Sequence, residues 1–168
     1  MKILGLDAST TTVGYAFVEN KKVIDMGFIP INKEKTIRDK VEVTLDEINK
    51  LDPFNEIDKI YIEDNLSGFM QGRTSQQTII KLAKFNAVLT YCLEFAYGEI
   101  VYGINPMTAR KNLFGKAREK GVPAKDFVKK EINRLYSLEE YVKLTKTGLW
   151  DKRNMDSYDA LVCALYEK

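Results

Sequence analysis

The first thirty residues leave few choices of fold. Residues 2–8 (Lys-Ile-Leu-Gly-Leu-Asp-Ala), 13–19 (Val-Gly-Tyr-Ala-Phe-Val-Glu) and 23–29 are three apolar stretches of strand length. Ser9-Thr10-Thr11-Thr12 separates the first two, and the polar Glu19-Asn20-Lys21-Lys22 joins the second to the third. Connections this short join antiparallel neighbours, because a parallel return needs a crossover of roughly a dozen residues. The chain therefore opens as an antiparallel meander that ends near Pro30.

Helical and strand patterns then alternate. Between Lys33 and Lys50, Ile37, Val41, Leu45 and Ile48 recur on one face of an amphipathic helix. Asp52-Pro53 breaks it, and Lys59-Ile60-Tyr61-Ile62-Glu63 is a fourth strand rich in β-formers. Residues 65–75 form a polar, glycine-containing loop with Phe69 and Met70 in it. A helix from about Gln76 to Tyr97 follows, then a fifth strand over 99–104 and a short helix from Asn105-Pro106. Lys- and Gly-rich residues 115–123 precede a helix over about 124–136. A further helical turn or two is expected over 139–146, and a last helix over about 154–166. The whole chain, 1–168, reads as one α/β domain. Its mixed five-stranded sheet has three antiparallel strands followed by two parallel ones, with right-handed crossovers and flanking helices.

The helix at 76–97 is apolar around most of its circumference, through Ile79, Ile80, Leu82, Phe85, Val88, Leu89, Tyr91, Leu93 and Phe95. Such a helix is buried on more than one side. One side has the sheet to pack on, and the other is free for a partner subunit, so a homodimer through this helix is expected.

The chain contains no histidine. That removes Ser-His-Asp and Cys-His nucleophiles, imidazole bases and the commonest zinc ligand together. Cys92 and Cys163 lie in apolar helical stretches without a CxxC pair and read as small buried hydrophobes. No apolar run approaches the roughly 20 residues that span a bilayer. Without a basic segment leading into an apolar one at the N-terminus, an intracellular, cytoplasmic location is expected. The net charge of +2 hides an asymmetry. Residues 102–153 hold 13 Lys/Arg against 6 Asp/Glu, a surplus of +7, and the remainder carries −5. Charge runs are usually solvated surface, but beside paired acids a basic flank suits a polyanion.

Four acids stand out. Asp7 and Glu63 end strands one and four, and if these are parallel neighbours both emerge at one sheet edge. Asp156 and Asp159, three apart, project from one side of the last helix and repel each other. Clustered carboxylates suit Mg²⁺ or Mn²⁺ rather than zinc. Two such ions per site can activate water and stabilise the leaving oxygen in phosphodiester hydrolysis. Taken singly, each acid also reads as a cap, a turn residue or a helix start.

These residues resemble a known family. Ile3-Leu4-Gly5-Leu6-Asp7-Ala8-Ser9 followed by Val13-Gly14-Tyr15-Ala16 looks like the opening of the RuvC-type Holliday-junction resolvases, of the RNase H-like and retroviral-integrase superfamily. Ile60-Tyr61-Ile62-Glu63-Asp64 is similar to their second acid-bearing strand, and Asp156-Ser157-Tyr158-Asp159-Ala160 to their closing Asp-x-x-Asp-Ala helix. The resemblance implies an RNase H-like fold, a homodimer, and Mg²⁺- or Mn²⁺-dependent nicking of four-way and other branched DNA by Asp7, Glu63, Asp156 and Asp159. It also implies DNA contacts from Phe69 (by stacking) and Arg73 in the loop after Glu63, and from Lys116, Arg118, Lys120 and Lys125 near the Gly/Lys-rich stretch. Residues 137–153 diverge from the cellular members and are more similar to the small phage-encoded ones. Alternative readings are an RNase H-like nuclease on RNA–DNA hybrids or flaps, an actin- or sugar-kinase-like nucleotide-binding protein, and a non-catalytic DNA-binding module.

Overall fold

A computed structural model describes residues 1–53, 56–64, 75–98 and 100–166. Strands β1 (Lys2–Ala8), β2 (Thr12–Glu19) and β3 (Lys22–Pro30) form the expected meander. Helix α1 (Ile37–Leu51) leads to β4 (Lys59–Glu63), and α2 (Gln76–Tyr97) leads to β5 (Val101–Ile104). Then come α3 (Pro106–Phe114), α4 (Ala124–Leu135), a 3₁₀ turn (Glu139–Tyr141) and α5 (Asn154–Ala164). The sheet order is β3-β2-β1-β4-β5. The meander pairs are antiparallel, whereas β1–β4 and β4–β5 are parallel.

Alternation along the strands gives the sheet two buried faces. Leu4, Leu6, Val13, Tyr15 and Phe17 pack with Val41, Ile48, Phe85, Leu89 and Leu93 of α1 and α2. Ile3, Ala16, Val18 and Tyr61 point the other way and pack with α5, behind which lie Ala109 of α3 and Phe127, Val128 and Ile132 of α4. Helix α5 is thus clasped between the sheet and a helical layer, and every residue in it except Asp156 is buried.

Glycine makes that clasp possible. A Cβ on Gly5 would lie 2.1 Å from the Ala160 carbonyl oxygen and 2.5 Å from the Ala164 nitrogen. One on Gly14 would lie 2.1 Å from the Asp156 carbonyl oxygen. The backbone of α5 therefore rests almost directly on β1 and β2, closer than any side chain allows.

Two local expectations need correction. Helix α1 begins at Ile37 rather than near Lys33, because Thr36 and Asp39 form a capping box there. Residues 139–146 do not continue as helix. The 3₁₀ turn ends at Tyr141, and Leu144 pairs with Trp150 across a tight turn. Thr-Lys-Thr-Gly at 145–148 supplies turn chemistry, with Gly148 at φ 78°. Among the described residues no helix is long and apolar enough to cross a membrane. Phe69 and Arg73 lie outside the described residues.

Gly5→Ala is expected to lower stability by about 1–3 kcal/mol or more, since α5 must lift off the sheet. That corresponds to about 2–4 °C in melting temperature per kcal/mol for a chain of this size. Gly103→Ala, whose Cβ would meet nothing nearer than 3.9 Å, should melt like the parent. Thermal melts followed by circular dichroism distinguish them. Equal melting of both variants would contradict the close α5–β1 seat.

Candidate active site

The parallel β1–β4 register pairs Leu6 with Ile62, so the next residues, Asp7 and Glu63, stand side by side at the carboxyl ends of the two strands. Alternation puts Ile3, Gly5 and Asp7 on one face, and Tyr61 and Glu63 with them. Gly5 meets α5 and Tyr61 shares its core cluster, so both acids face α5. The turn after β1 is keyed by Ser9, whose Oγ donates to the Thr12 carbonyl (2.8 Å) and accepts from the Thr12 N–H (3.1 Å). Lys40 of α1 ties down the same turn by donating to the carbonyls of Thr10 and Ile31. On β2, Gly14 pairs with Asp7 and admits the first turn of α5, bringing Asp156 and Asp159 to the same corner.

This corner is nearly dry. Asp7, Glu63 and Asp159 are 8%, 7% and 4% exposed, and Asp156 is half-buried. Burial pushes the Asp7 carboxyl well above its ordinary range, and the charges of Glu63, Asp159 and Asp156 push it further, against Lys125. Burial also lifts Glu63 to about 7, with Asp159 adding and Arg110 opposing. Asp159 is raised by burial even though Arg110 and Lys125 oppose it. The Cys163 thiol is pushed up by burial and then by Glu63, Asp7 and Asp159, so it stays neutral and inert.

Two cations hold the helix-borne acids. Arg110 Nη2 donates to Asp159 Oδ1 at 2.9 Å, and Lys125 Nζ to Asp156 Oδ1 at 2.6 Å. These pairs offset the like-charge spacing of Asp156 and Asp159 on α5. Among the described residues no three acids converge as a ready-made metal cage. Burial opposes the charge on Lys125, but Asp156, Asp159 and Asp7 outweigh it and raise its pKa.

The structure thus places all four acids expected from sequence within electrostatic reach of one another at one corner, short of a ready-made cage, with Lys125 among them. Lys116 instead packs over the Phe127 ring and pairs with Glu119 (3.4 Å), while Arg118 and Lys120 are exposed on the loop between α3 and α4. Arg110 escaped the sequence reading. The available signal was an arginine beside Ala109 and Leu113, on the apolar side of a short helix that follows a strand end.

No family model matches the chain. It is 29% identical over 136 residues to a crossover junction endodeoxyribonuclease RuvC of Campylobacter hominis, covering 79% of this chain and 82% of the relative. It is 28% identical over 147 residues to the Aliarcobacter butzleri protein of the same name, covering 85% and 88%. Its fold matches Thermus thermophilus RuvC in complex with a Holliday junction substrate, with a TM-score of 0.71 at 16% identity over 98% of this chain and 91% of that one. A further Thermus thermophilus RuvC structure matches with a TM-score of 0.64. The chain is thus similar over most of its length to RuvC proteins, and its RNase H-like fold is the one that Thermus thermophilus RuvC adopts.

Proposed function

We propose that this protein is a structure-selective DNA endonuclease that resolves four-way and other branched DNA by metal-dependent phosphodiester hydrolysis. The observation behind this is the corner where Asp7, Glu63, Asp156 and Asp159 meet, three of them buried and pressing one another toward protonation. The relatives' names point to the same reaction class.

The donor set fits a hard divalent cation. It is all carboxylate oxygen, in a chain without histidine, and its excess negative charge is what such an ion neutralises. Asp7, Glu63, Asp156 and Asp159 would hold Mg²⁺ or Mn²⁺, two ions per site. When bound, the metal supplies water activation and neutralises charge that builds on the phosphate and leaving oxygens. The remaining work belongs to the protein. The rigid β1–β4 edge fixes Asp7 and Glu63, and the glycine seat fixes α5, so the acids keep their spacing as a substrate arrives. Lys125 and Arg110 offset part of the acid charge and so lower the repulsion that a phosphate meets on entry. Arg110 Nε is a buried donor without a partner among the described residues.

The protein acts as a homodimer through α2. Phe85, Leu89 and Leu93 of this helix are buried, while Ile80, Val88, Tyr91 and Phe95 form a stripe 53%, 40%, 68% and 85% exposed. An apolar stripe of that extent on a helix already packed on its other side suits a second copy. Two acid sites related by a twofold axis match the symmetry of a four-way junction.

Purified protein with Mg²⁺ is expected to nick a synthetic four-way junction and to spare linear duplex. Asp7→Asn and Asp159→Asn should slow nicking by more than about 100-fold, the upper end for losing a residue that only orients a metal's ligand. Junction binding should persist or tighten, because a charge that repels phosphate is gone. Full activity of either variant at saturating Mg²⁺, or equal cutting of junction and duplex, would contradict the proposal. Light scattering should give a dimer mass at micromolar concentration and a monomer mass for Tyr91→Arg/Phe95→Glu. A monomeric parent protein would contradict the dimer.

A further inference from the structure

Between the 3₁₀ turn and α5 the chain builds a small hairpin that the acid corner does not use. Leu144 and Trp150 form an antiparallel bridge. The Thr145 N–H donates to the Leu149 carbonyl (2.7 Å), the Gly148 N–H to the Thr145 carbonyl (2.9 Å) and the Asp151 N–H to the Lys143 carbonyl (3.2 Å). The base is fastened to α5 by Asn154, which is 1% exposed. Its Nδ2 donates to the Lys143 carbonyl (2.8 Å), and its Oδ1 accepts from the Lys143 N–H (3.0 Å). Lys129 Nζ stands 4.1 Å over the Trp150 ring. A connection secured at both ends in this way is preorganised rather than slack.

Its surface is unusual for a solvated turn. Leu144 and Leu149 are 61% and 68% exposed, and Lys143, Lys146 and Lys152 are exposed around them. The one acid in residues 143–153, Asp151, is engaged by Arg153 through Nη2 at 2.6 Å and Nε at 3.0 Å. Among the described residues neither Lys146 nor Lys152 has an ion-pair partner. Four cations against one acid leave the segment at +3.

The sheet register fixes where the hairpin stands. Asp7 pairs with Gly14, and Gly14 with Phe28, so the three form one row across β1, β2 and β3 on the α5 face. At about 4.8 Å per strand, Phe28 lies roughly 10 Å from Asp7. Lys143 Nζ and Arg153 Cζ lie over that Phe28 ring, at 4.8 Å and 4.5 Å from its centroid. The base of the hairpin therefore sits beside the acids on their own face. The separation is about three nucleotide rises along one strand.

We propose that the hairpin of residues 143–151, with Lys152 beside it, is a second DNA-contact element. Lys146 and Lys152 engage backbone phosphates that flank the phosphate at the acids. Leu144 and Leu149 press on an unstacked step at the branch, as apolar wedges do in other DNA-binding proteins. The inference rests on the nuclease reading and deepens it. Lysine-ringed leucines next to a phosphodiester site match a DNA backbone better than a protein partner, whose surface would leave that charge unmatched.

The test is fluorescence anisotropy on a labelled four-way junction across a salt series, in the Asp7→Asn background so that the DNA stays intact. Lys146→Gln/Lys152→Gln should weaken binding about tenfold or more near 0.1 M salt and flatten the slope of log K against log salt by about 1.8, two phosphate contacts' worth. Leu144→Ser/Leu149→Ser should weaken binding several-fold with the slope unchanged, since no charge is removed. Melting temperatures should match the parent, because all four side chains are exposed. Unchanged affinity and slope in the lysine variant would overturn the hairpin's role and leave the nuclease proposal standing. Failure of the Asp7→Asn protein to bind any junction would overturn both.

Discussion

Mutual repulsion among buried carboxylates is the constraint on which the rest of this molecule turns. Asp7, Glu63 and Asp159 each have under a tenth of their surface exposed and face one another at a single sheet edge. Such a cluster is costly unless cations answer it. The chain answers partly from its own side chains, with Arg110 on Asp159 and Lys125 on Asp156. The elements around the corner serve to hold this arrangement. Parallel pairing of β1 with β4 sets two acids abreast, and Gly5 and Gly14 let α5 bring the other two down onto the sheet. A fold that keeps charges together at this cost has a use for the negative potential they create. Under the proposed function, attracting a divalent cation is that use.

Much of this was legible in the sequence because it follows from period and spacing. The meander needed only three apolar runs with connections too short for a crossover. The apolar pattern of 76–97 foretold helix α2 with the same bounds. The four acids were legible because each sits at a strand end or on one helical face, positions that geometry alone brings to one edge. Other features were set by tertiary contacts that leave little local trace. Arg110 joins the site only because α3 packs behind α5. Lys125 was expected only as a DNA contact, through the resemblance, and its pairing with Asp156 follows from the docking of α4. Of the helical turn or two expected over 139–146, the structure has one at Glu139–Tyr141, and the hairpin that follows was hidden by the weak apolar spacing around Thr145-Lys-Thr-Gly148.

The basic segment also changes meaning once folded. Its surplus of +7 looks like a uniform flank, yet much of it is internally paired. Lys116, Lys130 and Arg134 engage Glu119 or Glu131, and Arg153 engages Asp151. In the hairpin Lys146 and Lys152 have no ion-pair partner among the described residues, and the hairpin's base sits over Phe28, in the same row of the sheet as Asp7. Positive charge placed to either side of a negative pocket guides a polyanion across it.

The most direct measurement is thermal stability against pH, with and without Mg²⁺. Glu63 is raised from its ordinary 4.5 to about 7 by burial and by Asp159, so between those values the folded protein binds more protons than the unfolded chain. Stability must then fall as pH rises through that window. In chelator the melting temperature is predicted to drop between pH 5 and pH 8. Mg²⁺ should restore it at pH 8, where it binds the ionised cluster of the folded state alone, and do little at pH 5. Glu63→Gln should flatten the dependence. A melting temperature that is level or rising across the window, or that does not respond to Mg²⁺ at pH 8, would contradict a cation-seeking acid cluster at the heart of this protein.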